Sequence, residues 1–402
     1  MKTRLTSLAV VVVILLIGAA WAGAAQSPTP GAPPTDKPIK IGLLLPYTSI
    51  SAGAAQEADR GARLYLEEFQ WKMAGRPVEL IAEDTQIQPS ISLTKAKKLI
   101  EKDNVDFLIG ETNGAACIAI RDYVHSQGTP WIATVCQPPP AVLGAKAASP
   151  SIFWMASTPY QAGLNMGRWV REKTRHQKVG IIASDFATGH GYANAFKAGF
   201  EQAGGQIVQE LYPALGTSDF GPFISGIDPT KMEAVYAWLV SADALRFLKQ
   251  FSEYGLKARL PVFGFDALVE DQFLASLGQT AKGVIVSSIY HHSLNNPENR
   301  RFVNAYKARY NLVPGFYAES SYDALRILNQ ALEATKGNTL DRARLVTAIH
   351  DTQWNLARGP VQFDSLNMVT QNVYVVQVEE AGGQMTKRVI DVMEKVSSVP
   401  KQ

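Results

Sequence analysis

Residues 105–124 read VDFLIGETNGAACIAIRDYV, a pattern of strand, tight turn and helix. The apolar run Asp106-Phe-Leu-Ile ends at Gly110, small and polar residues follow, and Ile120, Tyr123 and Val124 then recur on one helical face. Thr112 or Asn113 can cap that helix, and Gly114, Ala115 and Ala116 leave its first N–H groups uncovered by bulky side chains. Such an end attracts anions, because free donors and the positive end of the helix dipole point the same way. An ordinary capped turn has the same local pattern, so its meaning depends on whether the rest of the chain repeats the geometry.

It does repeat. Upstream, residues 39–45 (IKIGLLL) form a buried strand that stops at Pro46, and Ala62, Leu66, Phe69 and Met73 follow at helical spacing. A strand at 78–82, a helix at 90–102 and a strand at 131–134 complete the first series. After a break at 149–158 the alternation restarts with strands at 179–183, 207–211, 234–238, 262–265 and 284–289, joined by helical stretches. Three helices then come in succession, at 297–310, 317–335 and 341–350, and strand-like segments close the chain at 361–363, 372–378 and 388–393, the last two joined by the hairpin-like Ala381-Gly-Gly-Gln. Strand and helix in alternation mean βαβ units and a sheet covered on both faces. At 402 residues the chain also exceeds one ordinary core. The fold class is therefore α/β, with two doubly wound parallel-sheet lobes.

In open α/β sheets ligands sit outside the carboxyl ends of the strands, so two lobes with those ends facing make a cleft. Aromatic residues stand at such ends: Tyr47, Phe186, Trp238 and Phe265. Together they can clasp an apolar or planar ligand body.

Catalytic signatures are missing. The sequence has no GxSxG, HExxH, GxxxxGK[ST] or CxxC. Gly189-His-Gly191 begins a dinucleotide fingerprint, but Asn194 stands where the third glycine is needed. His291-His292 has no second Cys/His cluster to share a metal, and reads as a surface pair. Asp185 and His190 lack a nucleophile to activate. A hydrolase is therefore disfavoured, and no cofactor or metal is expected. Basic and acidic residues number 39 and 36, so there is no basic field for nucleic acid.

Residues 1–25 are read as a secretory signal peptide. Lys2 and Arg4 precede an apolar run at 8–17 that is short for a bilayer, and small residues follow. No cysteine lies near the cleavage region, so no lipid anchor is expected. Residues 26–38 hold five prolines and read as an extended linker. The two cysteines, Cys117 and Cys136, both lie beyond the leader and would meet an oxidising compartment. They come at the first turn of one helix and the end of the next strand, which leaves either a disulfide or two buried thiols.

At this point the residues carry a resemblance. Residues 39–69, IKIGLLLPYTSISAGAAQEADRGARLYLEEF, are similar to the opening of the Leu/Ile/Val-binding protein family, the type I solute receptors of ABC importers. The similarity continues through Gly110-Glu-Thr-Asn-Gly, Ser184-Asp-Phe-Ala-Thr-Gly-His-Gly, Thr217-Ser-Asp-Phe, Tyr322-Asp-Ala-Leu and Gly359-Pro-Val-Gln-Phe-Asp. The resemblance implies a type I periplasmic binding protein fold with a three-strand hinge. Lobe 1 would then be 39–155 plus 289–359, lobe 2 would be 156–288 plus 360–393, and 394–402 a C-terminal tail. It also implies that Asn113, Gly114, Ala115 and Ala116 donate to a ligand carboxylate with Val135, Cys136 and Gln137, and that Asp266 holds an α-ammonium group. Two departures stand out: Thr188 replaces a tyrosine that usually faces the ligand, and Val135-Cys-Gln-Pro-Pro-Pro replaces the usual small residue and threonine. Both leave room for an aromatic acid or another carboxylate.

The resulting expectation is a monomeric, non-enzymatic periplasmic receptor that closes on a small carboxylate, such as a branched-chain, aromatic or other apolar amino acid, and passes it to a membrane permease. The alternatives are a receptor for an aromatic or aliphatic acid or amide without an amino group, and the sensing subunit of a signalling receptor. Cleavage between Ala22 and Gln26 is expected to release the chain from the leader. Mass spectrometry of the exported protein checks this, and an intact Met1 or a lipid adduct would contradict it.

Overall fold

The structure is a computed structural model and describes residues 37–48, 51–136 and 149–398. The leader, nearly all of the linker and Gln137 lie outside the described residues. The first sheet is built from β1 (Ile39–Leu45), β2 (Lys72–Met73), β3 (Arg76–Asp84), β4 (Phe107–Gly110), β5 (Trp131–Ala133) and β6 (Ile152–Trp154), in the order β2-β3-β1-β4-β5-β6. All its pairings are parallel except β2 with β3. Helices α1 (Ala52–Glu68), α2 (Pro89–Lys97) and α3 (Gly114–Gln127) make the crossovers.

In the second half, strands β7 (Lys178–Ala183), β8 (Gln206–Leu211), β9 (Ala234–Trp238), β10 (Val262–Phe265) and β11 (Ile285–Ser288) are connected through α5 (Ala187–Gln202), α6 (Gly221–Ile224), α7 (Ser241–Glu253) and α8 (Asp271–Leu277), after α4 (Asn165–Trp169). Then come α9 (Pro297–Tyr310), α10 (Phe316–Ala334) and α11 (Arg342–Asp351), and finally β12 (Trp354–Leu356), β13 (Gly359–Phe363), β14 (Val369–Ala381) and β15 (Gln384–Val396). The second sheet runs β12-β13-β14-β11-β10-β9-β7-β8, with β15 on β14. Its centre is parallel, and β14 joins β11 antiparallel to carry the closing hairpin.

Packing explains where the three late helices go. Leu325, Leu328 and Leu332 of α10 share one core with Ile39, Ile41 and Leu43 of β1, so the helices cover the first sheet. The fit against α1 is close: a Cβ on Gly61 would lie 1.9 Å from the Ala318 carbonyl oxygen. The other face of that sheet is buried under α2, the helical turn at 98–102 and α3 by Ala96, Leu99, Ile120 and Val124. No helix among the described residues is long and apolar enough to cross a membrane.

Three details differ from the sequence reading. The break before β7 contains β6 and a helical stretch at 160–174, whose Gly167 lets it approach α5; a Cβ there would stand 2.2 Å from the Phe196 carbonyl oxygen. Trp354–Leu356, assigned to lobe 1 by the resemblance, is hydrogen-bonded as β12 at the edge of the second sheet. The tail placed at 394–402 begins inside β15, where Val396 still pairs with Gln371.

Cys117 and Cys136 are bridged, with their Cα atoms 6.3 Å apart, inside the normal span for a disulfide. The bond closes a loop of 19 residues of separation. Replacing both cysteines with serine is expected to lower stability by about 3 kcal/mol on the chain-entropy account. A urea titration under oxidising conditions checks it; an unchanged midpoint would show that the bridge contributes nothing.

Candidate functional site

The carboxyl ends of both sheets open on one cavity of about 890 Å³, including the part in contact with solvent. Thr112, Asn113 and Gly114 reach it after β4, and Val135 and Cys136 after β5. From the second sheet come Phe186 and Thr188 after β7, Trp238, Val240 and Ser241 at the end of β9, and Phe265 and Ala267 around the end of β10. Ser51 and Ala54 at the start of α1, and Phe316 and Tyr317 at the start of α10, complete the wall. Helix amino termini thus approach the cavity from α1, α3, α5, α7 and α10, and their dipoles make it electropositive without a cation. Among the described residues that line it, none is Asp, Glu, Lys, Arg or His.

At α3 the donors are divided between protein and cavity. Asn113 caps the helix, its Oδ1 accepting from the Ala116 N–H at 3.0 Å. Glu111 Oε1 accepts from the Thr112 and Asn113 N–H groups at 2.9 and 3.1 Å. Burial pushes the Glu111 carboxyl up to about 7, and these hydrogen bonds oppose the rise. The four-residue donor set expected from the sequence is therefore narrower: Asn113 and Gly114 line the cavity, Ala115 is exposed outside it, and the Ala116 amide is taken by Asn113.

The aromatic wall comes mostly from the second lobe. Tyr192 stacks on Trp238 with ring centroids 5.1 Å apart and meets Phe265 at 5.3 Å, while Phe186 lies 5.5 Å from Trp238. Phe316 of the first lobe approaches Phe265 at 6.1 Å. The Tyr192 hydroxyl is 3.1 Å from Ser157 Oγ, and Trp238 Nε1 is buried with no protein acceptor. Tyr192, Ser157, Phe316, Tyr317 and Ser241 were not picked out from the sequence. The Val240-Ser241 turn had a readable signal, since it repeats the strand-to-helix junction at Gly110; Tyr192 had none, being one aromatic on an amphipathic helix.

Two expected residues do not reach the cavity. Tyr47 turns back on α1, where its hydroxyl donates to Asp59 Oδ1 at 2.8 Å. Asp266 is buried outside the cavity wall: Lys387 Nζ lies 2.8 Å from Oδ1, and Ser288 Oγ donates to Oδ2 at 2.8 Å. The same ammonium is 2.8 Å from Asp271 Oδ2. Burial works against the Lys387 charge, but the two carboxylates outweigh it and hold the group protonated. The acid expected to meet a ligand ammonium already has one.

The histidine pair also differs from expectation. His291 is buried, with Nδ1 2.7 Å from Ser293 Oγ, and its ring lies 4.1 Å from that of His292. No group of three or more His, Cys, Asp or Glu among the described residues is placed to hold a metal. Asp185 and His190 form an exposed pair at 2.8 Å, and neither lines the cavity.

Known proteins share this architecture. The chain is 29% identical over 349 residues to Leu/Ile/Val-binding protein homolog 6 of Brucella melitensis, covering 85% of this chain and 88% of that protein. An ABC transporter substrate-binding protein from Sphaerobacter thermophilus superposes with a TM-score of 0.85 at 30% identity, over 90% of this chain and 100% of that one. A solute-binding protein of an ABC transporter from Rhodopseudomonas palustris BisB5, solved with 3,4-dihydroxybenzoic acid, superposes with a TM-score of 0.83 at 28% identity, over 90% and 98% of the two chains. The family model for periplasmic binding proteins matches residues 38–384, and the chain belongs to that family.

Proposed function

We infer that the protein is the extracytoplasmic receptor of an ABC importer, and that it closes on a small aromatic carboxylate without an amino group and delivers it to the membrane permease. The observation that carries this reading is the cavity wall itself: helix amino termini and aromatic rings, with no side chain of formal charge among the described residues. A carboxylate is favourable there, since the α3 end at Gly114 and the α5 end at Thr188, where no side chain caps the helix, supply N–H groups and positive dipole ends. An ammonium is unfavourable, because Asp266 is withdrawn behind Lys387 and no other acid lines the wall among the described residues. Phe186, Tyr192, Trp238 and Phe265 offer planar apolar contact for a ring. The 3,4-dihydroxybenzoic acid bound by the Rhodopseudomonas palustris relative agrees with this chemistry. The name of the Brucella melitensis relative favours a branched-chain amino acid instead.

Closure would be a hinge motion of lobe 1 (39–155 plus 289–353) against lobe 2 (156–288 plus 354–396), with the ligand removed from water between them. The secreted chain would reach the periplasm after loss of its leader, without a lipid anchor, and act without catalysis.

Calorimetry distinguishes the two ligand classes. Binding of 3,4-dihydroxybenzoate with no measurable heat from leucine is the expected result, and the reverse would overturn the reading. Asp266→Ala supplies an independent check. Removing one partner of the buried pair is expected to cost roughly 3–5 kcal/mol of stability, read as a lower denaturation midpoint. The affinity of the folded fraction for 3,4-dihydroxybenzoate should stay within a few fold, whereas a hundredfold loss would place Asp266 on the ligand.

A further inference from the structure

The two lobes meet beside the cleft through acids. On the first lobe, Glu57 of α1 turns its carboxylate to the start of α10, where the Ala318 N–H donates to Oε1 at 3.2 Å. On the second lobe, Glu270 immediately precedes α8 and Asp271 opens it. The two sides converge on Gly315: a Cβ there would lie 2.7 Å from Glu57 Oε1 and 3.4 Å from Asp271 Oδ2. The helices also touch alongside, since a Cβ on Gly53 of α1 would lie 2.7 Å from Gln272 Oε1 of α8. The Gln272 amide in turn donates to Glu270 Oε2 at 2.6 Å.

The charges around this contact do not balance it. Lys387 of β15 faces Glu57, but its ammonium is already shared between Asp266 and Asp271 at 2.8 Å each. Tyr290, Tyr306 of α9 and Tyr317 of α10 face Glu57 as neutral hydroxyls. His291 and His292, next to Lys387, are held neutral by burial, pushed down to about 2 and about 4. Glu57 therefore enters an environment that already holds acids and, among the described residues, gains no cation beyond the one they share.

We propose that this contact is a proton-operated latch: Glu57 takes up a proton when the lobes close and releases it when they part. Loss of water lifts the Glu57 carboxyl to about 8, with the Ala318 amide opposing and Asp271 and Glu270 adding to the rise. With the lobes apart, Glu57 keeps the Ala318 amide but loses its acidic neighbours Asp271 and Glu270, so its carboxyl falls back toward the ordinary 4.5. Below that value both states are protonated and closure is independent of pH. Between about 5 and 8 the closed state holds a proton that the open state has lost, so each pH unit lowers the closed-to-open ratio about tenfold. Above that window both states are ionised and the dependence ends. The latch rests on the reading of the chain as a hinged receptor, but not on which ligand it takes.

Small-angle scattering of the secreted, ligand-free chain from pH 4 to 9 tests it. The wild type is expected to expand across pH 5 to 8. Glu57→Gln keeps an acceptor for Ala318 and can donate to Asp271, so it is expected to stay compact to higher pH, with a dependence shallower by one proton. Superimposable profiles, or a radius of gyration that no pH alters in either protein, overturn the latch. If the glutamine variant fails to fold, carbon-detected titration of Glu57 in the wild type decides: a midpoint above 6 supports the latch and one near 4.5 overturns it. No ligand enters either measurement, so the latch and the aromatic-carboxylate reading can fail separately.

Discussion

The guanidinium of Arg358 is the constraint on which the two-lobe arrangement depends. It is fully buried, and each of its five N–H donors has an acceptor. Nε donates to Glu319 Oε1 at 2.7 Å, one terminal nitrogen to Glu319 Oε2 and Ser320 Oγ at 2.6 Å each, and the other to the Met155 carbonyl at 2.8 Å and Gln371 Oε1 at 3.0 Å. Those partners belong to α10, to the chain leaving the first sheet after β6, and to β14 of the second sheet. Arg358 itself lies between β12 and β13. Its carbonyl accepts from the Tyr374 hydroxyl at 2.7 Å, and the preceding Ala357 N–H is held by Asp323 Oδ2 at 3.0 Å. One side chain thus joins two chain crossings to both lobes. A buried ion pair of this kind adds little net stability over apolar packing, but breaking it leaves an uncompensated charge, so it ties the two lobes together at these crossings, where a hinge of the proposed kind would turn.

Away from that pivot, the helix amino termini facing the cleft fall into two groups. Two are satisfied from within the protein, α10 by Glu57 and α3 in part by Glu111 and Asn113, while Glu270 lies beside Ser241 at the start of α7. The carboxyls of Glu57, Glu111 and Glu270 are all lifted by burial, to about 8, 7 and 7. The cavity wall also takes in the Gly114 end of α3 and the α1 and α5 ends, at Ser51 and Thr188. Protein carboxyl groups occupying some helix ends leave the others, on the proposed reading, to an external carboxylate.

Much of this was legible from local pattern. The strand-turn-helix unit at 105–124, the β1 run and the late helices follow from apolar periodicity, and Gly382-Gly383 marks the β14–β15 hairpin, where Ala381 pairs with Gln384. The Phe186 and Trp238 positions at strand ends were legible for the same reason, and Thr188 through the family resemblance. The rest depended on partners remote in sequence. Tyr47 stands at a strand end like Phe186, and only Asp59 on the neighbouring helix shows that it turns away. The stretch at 160–174 owes its packing to Gly167 against Phe196, a close approach with no periodic signature.

Lys387 is the most informative of the remote partners, since it comes 121 residues after the acid it pairs with. The sequence resemblance implies that an acid at Asp266 waits for the ammonium of an incoming amino acid. Here an ammonium from β15 is already in place, held by Asp266 on one side and Asp271 on the other. The protein supplies internally the cation that the ligand would otherwise bring. On the proposed reading, a zwitterion entering this cavity would match its carboxylate to helix N–H groups but find no acid among the described wall residues for its amino group, and an unpaired desolvated charge costs several kcal/mol, about 3–5 when a buried partner is missing. A ligand with only a carboxylate meets no such cost. On the proposed reading, that single internal pairing would disfavour amino acids on a scaffold whose helix ends would serve either ligand.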